Sequence, residues 1–247
     1  MLRKISAFLA FSLLAFSLLA FAAVLQAQDL DELLKKNIDA KGGLEKIKSI
    51  KTFQMNATMS MPAMGMEAKV KMYNARPNKM RMEGDMMGQQ FVQASDGEKH
   101  WWIMPFMGIM SAAEIPGEQA KPIENQADFE GPFIDYKKKG HKIELIGKED
   151  VEGTEAYKLH VTYKNGFETD VFLDAEHYLE IKAVAKISAQ GMEIEQTTYF
   201  SDYKEVDGFV YAASFKQVNP QMEIQFTINE IKINEEIDPS LFSMPEN

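Results

Sequence analysis

Apolar and polar residues alternate along most of the chain, and this period of two constrains the fold more than any other feature. From Phe53 to Met61 every second residue is apolar, and Ala68, Val70 and Met72 alternate with charged residues in the same way. Successive side chains of a strand point to opposite faces, so the pattern predicts strands with one apolar face. Short turns separate most of these stretches, and such turns join antiparallel strands.

The alternating stretches add up to about eleven strands, a number that predicts a curled sheet. At ~4.8 Å per strand, a flat sheet of this size is on the order of 53 Å wide, and sheets this wide usually curl. An apolar stripe predicts a helix over 29–41 that fills part of the interior. In the last strand the apolar phase shifts near Asn229, which predicts a β-bulge.

Methionine dominates the apolar face of the first strands: 13 of the 17 methionines lie between Phe53 and Met110. Its side chain is flexible and polarisable, and suits a surface that adapts to several shapes. We therefore predict a concave face that binds an apolar ligand, although ordinary core packing explains the same residues. The candidate lining residues are Phe53, Met55, Met59, Met61, Val70, Met72, Met80, Met82, Trp101 and Phe106.

Two alternatives concern individual residues of this stretch. Trp101 and Trp102 face opposite sides of their strand, and the sequence does not show which one faces inward. The short spacing of Met59, Met61, Met64 and Met66 also fits a Cu(I) site, since thioethers are soft ligands. No cysteine is present, and no histidine lies within that segment. We expect no metal or other cofactor.

The strand pattern is interrupted between residues 105 and 136. Pro105, Gly108, Pro116 and Gly117 divide an apolar stretch without a clean period, and Asn125–Tyr136 is either a short helix or irregular. We interpret 105–136 as a loop-and-helix lid over the open mouth of the sheet. A packed connection without mobility is the alternative.

The N-terminus predicts export. Arg3 and Lys4 precede an apolar stretch from Ile5 to Leu25, and we expect a signal peptide over 1–27 followed by one domain over 28–247. The chain has no cysteine, so neither disulfides nor a lipid-anchoring cysteine is available to it. Removing the two cationic residues changes the net charge from −10 to −12, which argues against nucleic acid as a partner. We expect a periplasmic monomer.

Catalytic signatures are missing from the sequence. His100, His141, His160 and His177 are scattered without metal-ligand spacing, and neither a Gly-x-Ser-x-Gly elbow nor a phosphate loop occurs. We therefore predict no catalytic residue and no enzymatic activity.

Several short stretches, mostly at turns and strand ends, carry a family resemblance along the whole chain that follows the predicted signal peptide. They include Glu130–Tyr136, Val171–Asp174, Asp202–Gly208 and the terminal Leu241-Phe242 with Pro245. In their order the chain resembles the periplasmic outer-membrane lipoprotein carrier superfamily (LolA/LolB-like), and within it the outer-membrane lipoprotein-sorting proteins.

The resemblance implies an α+β, mainly β fold: an unclosed antiparallel β-barrel whose open side is covered by helices. It also implies binding of an acylated lipoprotein or lipid, with transient contact to an inner-membrane donor and an outer-membrane acceptor. The best-known carriers of the family control their lid with a cavity arginine. Arg76 and Arg81 are the arginines that follow the predicted signal peptide, and the motifs assign neither to that role.

From these observations we predict a soluble periplasmic carrier that buries acyl chains reversibly. An envelope sensor or scaffold that binds a lipoprotein or protein partner without transport is the alternative, and a copper-binding protein is a third.

Overall fold

The computed structural model describes residues 29–189 and 192–246. Its α-helices are α1 (29–40), α2 (Leu44–Ser49), α3 (Gly117–Ala127) and α4 (Tyr136–Lys139). Its strands are β1 (Thr52–Met61), β2 (Met66–Ala75), β3 (Lys79–Met86), β4 (Gln89–Ser95), β5 (His100–Met104), β6 (Ile109–Glu114), β7 (Lys142–Val151), β8 (Thr154–Thr162), β9 (Glu168–Asp174), β10 (Glu180–Ala189), β11 (Met192–Val206), β12 (Phe209–Val218) and β13 (Glu223–Ile233). The predicted signal peptide and the turn predicted at Gln190-Gly191 lie outside these residues.

The strands form one antiparallel sheet, in the order β6-β5-β4-β3-β2-β1-β13-β12-β11-β10-β9-β8-β7. Only one neighbouring pair, β1 and β13, is not consecutive along the chain, and it joins the two ends of the strand region. The sheet has 13 strands rather than about eleven. One strand that the sequence did not predict is β6, which lies inside the segment interpreted as a loop-and-helix insertion.

Helix α3 shows how strongly the sheet curls. It contacts β3, β4 and β5 as well as β10. In the strand order β4 and β10 are seven positions apart, which corresponds to about 34 Å in a flat sheet. A helix of 11 residues is only about 16 Å long, so the sheet must curve around it. The predicted fold class, an unclosed antiparallel barrel with helices on its concave face, is confirmed.

Two apolar clusters fill most of the concave face. Helix α1 packs Leu30, Leu33 and Leu34 onto β8 and β9. On the other half of the sheet, methionines from β1, β2 and β3 pack with Phe91, Phe226 and neighbouring residues. We call this second group the methionine cluster; its members include Met55, Met59, Met61, Met66, Met72, Met82, Met86 and Met104.

The predicted β-bulge is present. Asn56 pairs with Glu230 and Ala57 with Ile228, so Asn229 has no partner in the ladder. Its side-chain amide instead donates to the hydroxyl of Thr58, at 3.0 Å. The extra residue keeps apolar side chains facing inward on both sides of the shift.

The convex face of β3–β6 is covered by the C-terminal segment. Phe242, in a 3₁₀ turn from Pro239 to Phe242, is 1% exposed, and its carbonyl accepts a hydrogen bond from the Trp101 indole at 2.9 Å. Arg81 lies over the Trp101 ring and donates to the Leu241 carbonyl. The side chain of Arg81 therefore points away from Met80 and Met82, as the strand period predicts.

Of the two alternatives for 125–136, the irregular one holds for most of the stretch, and the helix of this segment lies earlier. It spans Gly117–Ala127 and contains Pro122, whereas residues 128–135 form turns. In the part of the chain that the structure covers, every helix is too short or too polar to cross a bilayer.

Candidate functional site

A cavity of about 430 Å³ lies between strands β9–β12 and the segment 122–133. Its volume falls within the range of about 300–1,000 Å³ that is usual for small-molecule sites. The strands contribute Thr169, Val171, Ala183, Ala185, Ile187, Gln196, Thr198, Phe200, Tyr203, Phe209, Tyr211 and Gln217, among others. The segment above them contributes Pro122, Asn125, Gln126, Phe129, Glu130, Gly131, Pro132 and Phe133.

Small side chains on β10 leave this space open. Ala183 and Ala185 face the cavity, while Val184 between them packs on the convex face beside Phe172. Ala185 pairs with Thr169 of β9, so a short side chain also lies next to it. On either side of this space the barrel is packed, by leucines of α1 on one side and by methionines on the other.

One end of the cavity is closed by the turn between α1 and α2. The carbonyl of Lys41 in this turn accepts a hydrogen bond from the Val210 amide at 3.2 Å. A Cβ atom at Gly42 would lie 2.0 Å from the Gly208 carbonyl oxygen, and Gly42 has a φ of +107°. Only glycine allows the turn to approach the β11–β12 hairpin this closely.

Arg76, at the turn after β2, fastens the cover of the cavity. Its guanidinium donates to the carbonyls of Ile47 and Ile50 and to the Glu130 carboxylate, the last at 2.6 Å. The same group lies 4.9 Å from the centre of the Phe129 ring. Arg76 thereby links helix α2, the sheet and the covering segment, whereas Arg81 lies on the convex face.

A second attachment joins α3 to the β8–β9 turn. The Asn165 amide donates to the Lys121 carbonyl, the Glu124 carboxylate and the Asn125 side-chain oxygen. The Asn125 amide nitrogen is buried and has no hydrogen-bond partner among residues 29–189 and 192–246. A ligand oxygen that reached this donor would remove the cost of leaving it unpaired.

Charged groups at the cavity are paired with each other. Lys41 and Glu180 form an ion pair of 2.6 Å, and Glu130 is held by Arg76 and by Lys139, at 2.6 and 3.3 Å. The Tyr203 hydroxyl donates to the Glu180 carbonyl, and burial, together with the nearby Glu180 charge, raises the pKa of Tyr203 far above its ordinary value. The site therefore suits an uncharged ligand better than an ion, since a new charge would lack a counterion.

None of the ten predicted lining residues contributes to the wall of this cavity. Met55, Met59, Met61, Val70, Met72 and Met82 belong to the methionine cluster, and Met80 packs beneath α3. Phe53 contacts the rings of Phe129 and Phe209, which do line the cavity, at 4.8 and 5.3 Å.

The two remaining predicted residues lie elsewhere. Phe106 is 53% exposed at the β5–β6 turn. Trp101 faces the convex side, where the C-terminal segment covers it, and Trp102 is the tryptophan that packs against the methionine cluster. The assignment of Trp101 to an inner lining is therefore corrected by its contact with Phe242.

The wall that the structure reveals contains few residues that sequence patterns single out. Alternation places Ala183, Ala185 and Ile187 on one face of β10, but small size is not a signal of ligand binding by itself. Among the described residues, no cluster of three or more His, Cys, Asp or Glu side chains is placed to hold a metal ion.

Comparison with solved structures identifies the fold. A DUF1329 family protein from Desulfovibrio piger has a TM-score of 0.60 at 12% identity, covering 88% of this chain and 97% of that one. A LolA superfamily protein from Nitrosomonas europaea has a TM-score of 0.56 at 13% identity, covering 81% and 95%. An outer membrane lipoprotein-sorting protein domain from Vibrio parahaemolyticus has a TM-score of 0.52 at 14% identity, covering 80% and 93%.

No protein-family model matches the sequence, and no curated protein matches it either. The likeness to solved structures at 12–14% identity thus concerns the fold. The class of protein is an open antiparallel β-barrel with a covered, mainly apolar cavity. The chain shares its fold with a LolA superfamily protein and with an outer-membrane lipoprotein-sorting domain, which confirms the fold that the sequence motifs implied.

Proposed function

We propose that this protein is a periplasmic carrier that binds the acyl chains of lipids or lipoproteins in its barrel and releases them toward the outer membrane. The observation that carries the proposal is the cavity of about 430 Å³ between β9–β12 and the covering segment. Its fold is shared with proteins described as LolA superfamily members and lipoprotein-sorting domains. The export signal predicted at 1–27 supports a role in the envelope.

Burial of hydrocarbon supplies the binding energy. Each methylene that leaves water contributes ~0.8 kcal/mol, so a single chain gives binding that is substantial but reversible. Reversibility is what a carrier needs, because it must hand its ligand on. No reacting group is required, and the charges of Lys41, Glu180, Glu130 and Arg76 are paired with one another rather than directed to a charged ligand.

We further propose that the predicted methionine-bearing strands act as an extension of the site. Phe53, Phe129, Phe209 and Tyr211 form the layer between the cavity and the methionine cluster. Methionine side chains change rotamer at low cost, so this cluster can repack around a longer or second acyl chain. Within the predicted 105–136 segment, residues 122–133 act as the lid in this proposal, with Arg76 as one of the fastenings.

Binding of a fluorescent fatty-acid probe tests the proposal. We expect saturable 1:1 binding, displaced by long-chain fatty acids and by their methyl esters, because the hydrocarbon rather than the carboxylate supplies the affinity. Short-chain acids serve as the control and should not compete. A protein that is folded, yet takes up neither probe nor ester, would refute the carrier proposal.

A further inference from the structure

Most of the exposed large apolar side chains are concentrated at one end of the barrel. Among the described residues eight large apolar side chains are exposed, and six of these lie at or beside hairpin turns on the same end. We call these six the apolar rim: Met64, Met87, Phe106, Met107, Met110 and Met222. The exposed fraction reaches 83% at Met87 and 71% at Met110.

The antiparallel strand order places these turns together. The turns β1–β2, β3–β4 and β5–β6 all follow a strand that runs in the same direction, and the turn β12–β13 reaches the same end because β13 pairs antiparallel to β1. Successive turns are two strands apart, or about 10 Å. The four turns therefore form a curved row on the order of 30 Å long.

Two of the turns are built from the same sequence, Met-Pro-x-Met-Gly. It occurs at Met61–Gly65 and again at Met104–Gly108. Each copy forms a 3₁₀ turn that ends at a glycine with positive φ, +62° at Gly65 and +81° at Gly108. The repeat places Met64 and Met107 in equivalent positions, and both are 53% exposed.

The rim contains no cationic side chain. Residues 61–67, 85–90, 104–110 and 218–223 include neither lysine nor arginine, and their acidic members are Glu67, Asp85 and Glu223. The Asp85 carboxylate is turned back onto the Gly88 amide at 2.8 Å. With a net charge of −10 for the whole chain, such a surface is repelled by anionic lipid and by nucleic acid.

We propose that the apolar rim docks this protein onto the surface of a bilayer with electrically neutral headgroups. Separate turns along a curved edge offer neither a groove nor a flat face for a folded partner. They can enter the headgroup region of a bilayer one by one, to the ~5–10 Å depth of interfacial apolar residues. Unbranched, flexible methionines suit a fluid partner of this kind.

The cavity extends toward the end of the barrel that carries the rim. Ile187 and Gln217, at the cavity wall, are two residues and one residue from the ends of β10 and β12 at the same end of the barrel. Met222 follows directly in the β12–β13 turn. Docking through the rim would bring the cavity close to the membrane, but it does not depend on the cavity being filled.

A vesicle-binding experiment with a matched pair of double variants tests the proposal. The first variant, Met64→Gln with Met107→Gln, changes the equivalent residues of the two repeats. The second, Leu44→Gln with Ile146→Gln, changes the two exposed apolar residues outside the rim, which are 40% and 55% exposed. The unchanged protein and both variants, each verified by its expected chain mass, are floated with phosphatidylcholine and phosphatidylethanolamine vesicles, with and without phosphatidylglycerol.

We expect the unchanged protein to bind the neutral vesicles and to bind less as phosphatidylglycerol is added. The Met64 and Met107 variant should partition at least tenfold more weakly, and the Leu44 and Ile146 variant within twofold of the unchanged protein. Equal binding by all three proteins, or no vesicle binding at all, would overturn the proposal. It would also be overturned if the Met64 and Met107 variant lost a protein partner in cross-linking but kept its vesicle binding. Uptake of the fatty-acid probe by both variants separates a failure of docking from a failure of the cavity.

Discussion

Filling the cavity with one ring should abolish most of the acyl-chain binding while leaving the fold intact. Ala185 is the position of choice, because it faces the cavity from the middle of β10 and is flanked there by Thr169 and by Gln196. The substitution Ala185→Phe places a phenyl ring in open space rather than in a packed core, so overpacking strain should be small.

The expected loss follows from the hydrocarbon that the ring displaces. A phenyl ring takes the place of roughly four methylenes, and at ~0.8 kcal/mol each the lost burial is about 3 kcal/mol. This corresponds to an increase in Kd on the order of a hundredfold. The assay is titration of the fluorescent fatty-acid probe, with circular dichroism and the melting temperature measured on the same samples.

Ser188→Phe is the matched control for this variant. Ser188 lies on the same strand but on the opposite, convex side, and it is exposed. The control should bind the probe within about twofold of the unchanged protein. If the folded Ala185→Phe variant binds the probe as well as this control does, the acyl chain does not lie in the cavity that we describe.

Three further perturbations test the parts around the cavity. Gly42→Ala should lower the free energy of unfolding by about 3 kcal/mol or more in urea titrations, and Gly43→Ala by ~1–2 kcal/mol, because only a Cβ at position 42 meets a carbonyl oxygen. Equal losses for the two variants would contradict the close approach of the turn to the β11–β12 hairpin. Arg76→Leu leaves the Glu130 carboxylate with one cationic partner fewer and should lower the free energy of unfolding by about 2 kcal/mol. It should also speed proteolysis of the covering segment, and an unchanged cleavage rate would contradict the role of Arg76 in holding that segment. Burial, with the Lys139 charge, lowers the pKa of His141 in the folded protein, so the unfolded chain binds the proton more tightly and stability falls as the pH drops below about 6.5. His141→Gln should therefore reduce the difference in melting temperature between pH 7.5 and 5.5. An unchanged difference would contradict this role of His141.

The strands were predictable because alternation reports directly on which face of a strand is buried. The bulge at Asn229 could even be located, since a change of phase in a strand requires one residue to leave the ladder. Strand β6 was not predicted because its sequence does not alternate. Ile109 and Met110 are adjacent apolar residues, and Met110 is 71% exposed at the rim.

The location of the cavity was not predictable from apolarity. Apolar character indicates the methionines of β1–β3 as the lining, but large side chains fill the space that these methionines border. Open volume lies where side chains are short, as at Ala183 and Ala185, and that depends on what packs opposite them. A single sequence shows which residues are apolar and does not show which of them face one another across the barrel.

Contacts between residues far apart in the chain determine where the tryptophans and the arginines lie. Trp101 is buried on the convex face by Phe242, 141 residues later in the chain. Arg76 reaches Glu130 across 54 residues, and Arg81 reaches the Leu241 carbonyl across 160. The sequence predicted that Trp101 and Trp102 face opposite sides, but the choice between them required the position of the C-terminal segment.

Native mass spectrometry of the protein purified from a bacterial envelope, followed by solvent extraction, tests the central claim most directly. Our account predicts a species heavier than the chain by the mass of an acylated molecule, which is released by solvent and is lost in the Ala185→Phe variant. A chain that is always found at its own mass, and that takes up no added fatty acid, would contradict the carrier function.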